Sequence, residues 1–158
     1  MQQNLCVGGT GTEKKRDRNK TMIFDTHAHY DDEAFEEDRG ALIASLAEQG
    51  IGRVVNVAAD LPSVSTSLTL AQYPFIYAAV GVHPSNVQEL TERDYEWLEE
   101  KLTAPKAVAV GEIGLDYYWD KEPEVQARQR ESFSRQLQLA KKLDKPVIIH
   151  SRDAAKDT

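Results

Sequence analysis

Cysteine is nearly missing from this chain: Cys6 is the only one in 158 residues. Without a second thiol no internal disulfide forms, so nothing in the composition calls for an oxidising compartment. Long apolar runs are missing too. No stretch approaches the roughly 20 residues that cross a bilayer, which excludes a membrane-spanning role. Positive charge is scarce, with 19 Lys and Arg against 26 Asp and Glu, a formal charge of −7. That excludes a protein that coats nucleic acid by neutralising phosphates. It does not exclude an enzyme that grips nucleic acid through metal ions and a few local cations. No G-x-G-x-x-G follows the first apolar run, so a dinucleotide-binding sheet has no support. What remains is 41% hydrophobic and 28% charged, an ordinary globular composition with enough length for one cored domain. The expectation is a cytoplasmic protein with no membrane contact and no obligate protein partner.

Residues 1–21, MQQNLCVGGTGTEKKRDRNKT, combine glycines with mixed charge and lack the apolar core of a secretory signal. They are expected to form a disordered N-terminal extension, with Cys6 an incidental thiol. From Met22 to the end, short apolar runs alternate with longer amphipathic ones. Strands are expected at MIFDT, RVVNVAA, FIYAAVGV, AVAVGEIG and PVIIH. Between them, helices are expected over 33–49, about 61–72, from the Thr91/Asp94 capping pair through Leu102, and from Pro123 to about 143. The strands are almost continuously apolar, as in a parallel sheet buried on both faces. Five strands and four helices in alternation imply an α/β fold, either an open doubly wound sheet or part of a (β/α)8 TIM barrel.

The chain has four histidines, and all fall where a predicted strand ends. His27 and His29 close the first, His83 the third and His150 the fifth, while Glu112 interrupts the apolar fourth. In a TIM barrel that carboxyl edge is where residues distant in sequence converge. Imidazole and carboxylate together suit a divalent ion. Glu112 has two oxygens and can bridge two ions, with His27 and His29 on one and His150 on the other. Two ions about 3.5–4 Å apart clamp a phosphate and activate water. Asp25 shares a strand face with His27, and either orients an imidazole or caps the following turn. Arg152 lies two residues past His150, where it meets a substrate phosphate or is a solvated charge.

Taken together, FDTHAHYD, GVHP, GEIGLDYY and KPVIIHSRDA, in this order and spacing, resemble the TatD family of metal-dependent deoxyribonucleases within the amidohydrolase-like barrels. The resemblance runs from Met22 to Thr158. It implies a TIM barrel whose divalent ions, two of them and drawn from Mg, Mn or Zn, activate water to cleave DNA phosphodiesters, often as an exonuclease. It also implies His27, His29, Glu112 and His150 as metal ligands; beside them, His83 is read as facing substrate or supporting a ligand rather than binding metal itself, and Arg152 as the candidate contact to substrate. Family barrels typically have eight strands and about 250 residues; five strands are legible here, and the family's further histidine and its aspartate, the expected base, have no counterpart. The catalytic base is therefore not named, and the 158-residue chain alone is expected to be a poor enzyme. Two other readings stand beside this one. One is a different amidohydrolase-like hydrolase, although many of these place a modified lysine where this chain has Glu112. The other is a non-catalytic metal-binding remnant.

Overall fold

Five apolar runs become five parallel strands that pair in chain order: β1 (Ile23–Ala28), β2 (Ile51–Val57), β3 (Ile76–Val80), β4 (Ala107–Asp116) and β5 (Val147–Arg152). The computed structural model describes residues 22–158, so the extension expected over 1–21, with Cys6, lies outside the described residues. Helices α1 (Arg39–Leu46), α2 (Leu61–Leu70), α3 (Glu92–Leu102) and α4 (Pro123–Lys142) join the strands. These are the five strands and four helices that the alternation predicts, arranged as the part-barrel that the resemblance implies.

Alternate residues of each strand serve two different layers, as the two-residue period of a strand requires. Val54 of β2 packs with Ile43 and Leu46 of α1 and Leu70 of α2. Its neighbours Val55 and Val57 join Ala79 and Ala109 in a cluster built from strand residues alone. One face of the sheet is therefore covered by helices, and the other is an interior lined by strands. The largest core lies between α3, α4 and the sheet, where Leu98, Leu102, Ile113 and Leu115 are almost wholly buried.

Strand ends shift by a few residues from expectation, and one helix differs more. The segment 33–49 is not one helix: a 3-10 turn, Glu33–Phe35, precedes α1. The Asp32 carboxylate accepts the Ala34 N–H at 2.8 Å, and the Arg39 guanidinium gathers the carbonyls of Tyr30, Asp31 and Asp32 at 2.6–3.1 Å. Arg39 thereby pins the chain just ahead of the turn, and the Asp32 carbonyl also accepts the Phe35 N–H at 3.1 Å, a 3-10 bond rather than an α-helical one. One continuous helix would also set Glu33 against Glu36 and Glu37, three and four residues on, an unfavourable like-charge arrangement. Strands β4 and β5 run further than expected, because they stay in register to their tips, Leu115 beside Ser151 and Asp116 beside Arg152.

Helix starts follow the sequence more closely. Asp94 accepts both the N–H and the hydroxyl of Thr91 at 2.7 Å, which holds its carboxyl below the ordinary value. Pro123 opens α4, whose ends carry Glu124 and the pair Lys141 and Lys142, matched to the helix dipole. The buried face of α4 holds the apolar Phe133 and Ala140, but also Gln129 and Gln136. Each glutamine pairs with both polar groups of one backbone residue at a strand tip. Gln136 accepts the Val82 N–H at 2.9 Å and donates to the Val82 carbonyl at 3.0 Å. Gln129 does the same for Asp116, at 2.9 and 3.2 Å. No helix among the described residues is long and apolar enough to cross a membrane.

Candidate metal centre

Strands β1 and β4 are separated by β2 and β3. In a flat sheet they would lie about 14 Å apart, three inter-strand spacings. Yet the His27 Nε2 is 3.4 Å from the Glu112 Oε2, and the His29 Nε2 is 3.9 Å from it. Only a sheet curved into a barrel arc brings these side chains together at its carboxyl edge.

The arc gathers six residues into two adjoining groups, His27 with His29 and Glu112, and His83 with Asp116 and His150. His150 joins them. Its Nδ1 is 3.1 Å from the Glu112 Oε1, and its Nε2 is 3.0 Å from the Asp116 Oδ2. A neutral imidazole carries one N–H, so it donates to only one of these carboxylates. Asp116 is 2% exposed against a side-chain exposure of 14% for Glu112, so the proton is assigned to Nε2, toward the more buried charge. The Nδ1 lone pair then faces the Glu112 Oε1. On the other side of Glu112, the two imidazole Nε2 atoms stand 3.1 Å apart beside Oε2. Lone pairs facing one another repel unless a proton or a cation lies among them. Donor atoms bound to a divalent ion at about 2.0–2.2 Å sit roughly 3–3.5 Å from each other, close to the separations here. The residues fit a divalent cation beside Glu112.

Local structure fixes each ligand. Asn56, wholly buried on β2, accepts the Tyr30 N–H at 2.7 Å and donates to Asp31 and Ser67. It thereby anchors the chain just after His29. Asp25 spends its carboxylate on the His27 N–H at 3.2 Å, which is capping, and no imidazole contact accompanies it among the described residues. At β4, Gly114 has φ +146°, and a Cβ there would stand 1.9 Å from the His150 carbonyl oxygen. Glycine is what lets the backbone of β5 approach this closely.

The remaining expected residues separate by role. His83 caps a 3-10 turn, Pro84–Asn86, and its Nδ1 accepts the Ser85 N–H at 3.2 Å. Its neutral form therefore carries the proton on Nε2, as a donor. Burial, and then the neighbouring His150, lower its pKa, so that form prevails at neutral pH. Arg152 lies exposed at the tip of β5, its guanidinium over the Tyr118 ring. Asp116 is the residue the sequence reading missed. Burial pushes its carboxyl up, but the Trp119 N–H, His150 and the Tyr118 N–H together outweigh burial and hold it below the usual value. Its signal was the one used for Glu112, a carboxylate ending an apolar strand, four residues on and on the same face.

Comparison with known proteins agrees with this geometry. The family model "TatD related DNase" matches residues 24–158. "Uncharacterized metal-dependent hydrolase YabD" of Bacillus subtilis is 42% identical over 137 residues, covering 86% of this chain and 53% of that protein. "3'-5' ssDNA/RNA exonuclease TatD" of Edwardsiella piscicida is 35% identical over 122 residues, covering 76% and 46%. The crystal structure of the Escherichia coli TatD homologue YjjV superposes with a TM-score of 0.77 at 37% identity, covering 85% of this chain and 52% of that one. The chain spans about half the length of the curated relatives it matches.

Proposed function

Because the chain belongs to the TatD family, we propose that it is part of a metal-dependent phosphodiesterase that degrades DNA from an end, using two divalent ions. The observation that carries this reading is Glu112, whose two oxygens each face imidazole nitrogen, His27 and His29 at Oε2 and His150 at Oε1. A carboxylate placed this way would hold one ion at each oxygen. Divalent ions supply Lewis acidity toward phosphate oxygen and lower the pKa of water. The protein's part is to hold and aim. His27 and His29 present Nε2, Glu112 spans the centre, and Asp116 keeps the His150 Nδ1 free of its proton. His83 offers Nε2–H to a phosphate oxygen, because its Nδ1 is already taken by Ser85. Arg152 supplies a cation at the same edge. The choice of DNA draws on the names of the family model and of the Edwardsiella relative. No described residue is assigned as the general base.

The test compares the 158-residue chain with a version extended by the C-terminal half of the Bacillus relative. Both are assayed on single- and double-stranded DNA of mixed sequence with Mg, Mn or Zn, and with chelator. The extended chain should cleave with little base preference and stop in chelator. Glu112→Gln should lower bound metal and cut the rate by roughly two orders of magnitude or more, because it removes a charged ligand oxygen at nearly constant volume. Cleavage that survives chelator, or hydrolysis of amides but not phosphodiesters, would overturn the reading.

A further inference from the structure

Beyond Asp116 the loop turns two aromatic rings outward. Tyr118 is 42% exposed and Trp119 is 67% exposed, an unusual state for large aromatics. Their ring centroids are 4.6 Å apart, edge to face. Arg152, which pairs with Asp116 in the sheet, lays its guanidinium 4.0 Å from the Tyr118 centroid and 5.3 Å from that of Trp119. Among the described residues that guanidinium has no hydrogen bond or ion pair. The loop is held in place, since the Tyr118 and Trp119 N–H groups both donate to the Asp116 Oδ1, at 3.1 and 3.2 Å. The other oxygen of that carboxylate faces His150. One buried side chain thus fixes the exposed rings relative to a candidate metal ligand.

We propose that Tyr118, Trp119 and Arg152 form a stacking platform for a nucleobase of single-stranded DNA, with Trp119 against the base face and Arg152 on the adjoining phosphate. The occupant rests on the phosphodiesterase reading above; the platform itself rests on the rings and the unspent cation. Every base has a π-face, so stacking binds without reading sequence, and bases already stacked in a duplex are not offered to it. The charge balance of the chain points the same way. At −7 its net charge gives little overall attraction for phosphates, so a contact to bases adds what electrostatics does not supply.

The chain has two tryptophans, and Trp97→Phe leaves Trp119 as the fluorescent one. In chelator, that variant of the 158-residue chain is titrated with an oligothymidylate and with an abasic oligonucleotide of equal length and charge. The base-bearing strand should quench Trp119 and bind more tightly. Trp119→Ala, followed by anisotropy of a labelled strand, should weaken binding roughly 5- to 100-fold, the range for one stacked base, and Trp119→Phe should restore most of it. Arg152→Ala should flatten the salt dependence by about 0.7 in log–log slope, one phosphate on a single strand. Trp119 is exposed, so these variants should keep the parent circular dichroism spectrum. Equal binding of base-bearing and abasic strands, or binding indifferent to Trp119, would overturn the platform. Stacking without hydrolysis by the extended chain would overturn the phosphodiesterase reading alone.

Discussion

Asp116 divides its two oxygens between two tasks, the aromatic loop on one side and the His150 Nε2 on the other. Its depressed pKa keeps it ionised across the neutral range. In Asp116→Asn, an amide oxygen facing the loop leaves its NH2 group facing His150. The imidazole must then carry its proton on Nδ1, on the side meant for the ion. Affinity for Mn or Zn, measured by calorimetry, should fall about 10- to 100-fold. Nitrogen NMR of His150 should report the switched tautomer. Unchanged affinity with the parent tautomer would remove Asp116 from the centre. The histidines were legible in the sequence because they are rare and every one falls at a strand tip. Asp116 carried the same signal and was passed over, since its partner His150 lies 34 residues away and pairs with it only in the folded sheet.

Among the elements, β4 carries the most demanding geometry. Gly114→Ala forces a left-side φ on alanine and drives a methyl into the His150 carbonyl. The collision is with backbone, which a rotamer change cannot relieve. The variant should lose about 3 kcal/mol or more of stability, or fail to fold, as denaturant titration would show. A parent-like midpoint would mean that β5 shifts freely. Apolar rhythm located all five strands and three of the helices closely. It failed at 33–49 because Phe35 and Leu42 keep helical spacing there while the Asp32 carboxylate and the Arg39 guanidinium bind backbone groups that set a 3-10 turn ahead of α1. Hydrophobic patterning contains no information about a side chain bonding to backbone. The same blindness hid Gln129 and Gln136, polar residues on a face expected to be apolar.

At the scale of the molecule, curvature makes the site, and curvature also leaves edges. Among the described residues β1 and β5 each have a single neighbour. Phe24 on β1 and Ile149 on β5 are about half exposed. Open edges with apolar side chains pair with other chains. The isolated 158-residue polypeptide should therefore self-associate in sedimentation velocity as concentration rises, and extension by a relative's C-terminal half should suppress this. A persistent monomer would show that the edges are protected. Barrel curvature was legible only through the resemblance, since strand spacing in sequence is the same for an open sheet. The two glutamines of α4 also govern how this molecule breathes. Strand tips normally fray, and their amide protons exchange quickly with solvent. The amides of Val82 and Asp116 are instead shut by carboxamides belonging to a helix, so each opens only when α4 lifts away. In a hydrogen-exchange experiment the rims of this site should be as slow as its core, and Gln136→Ala should release Val82 while leaving Asp116 protected.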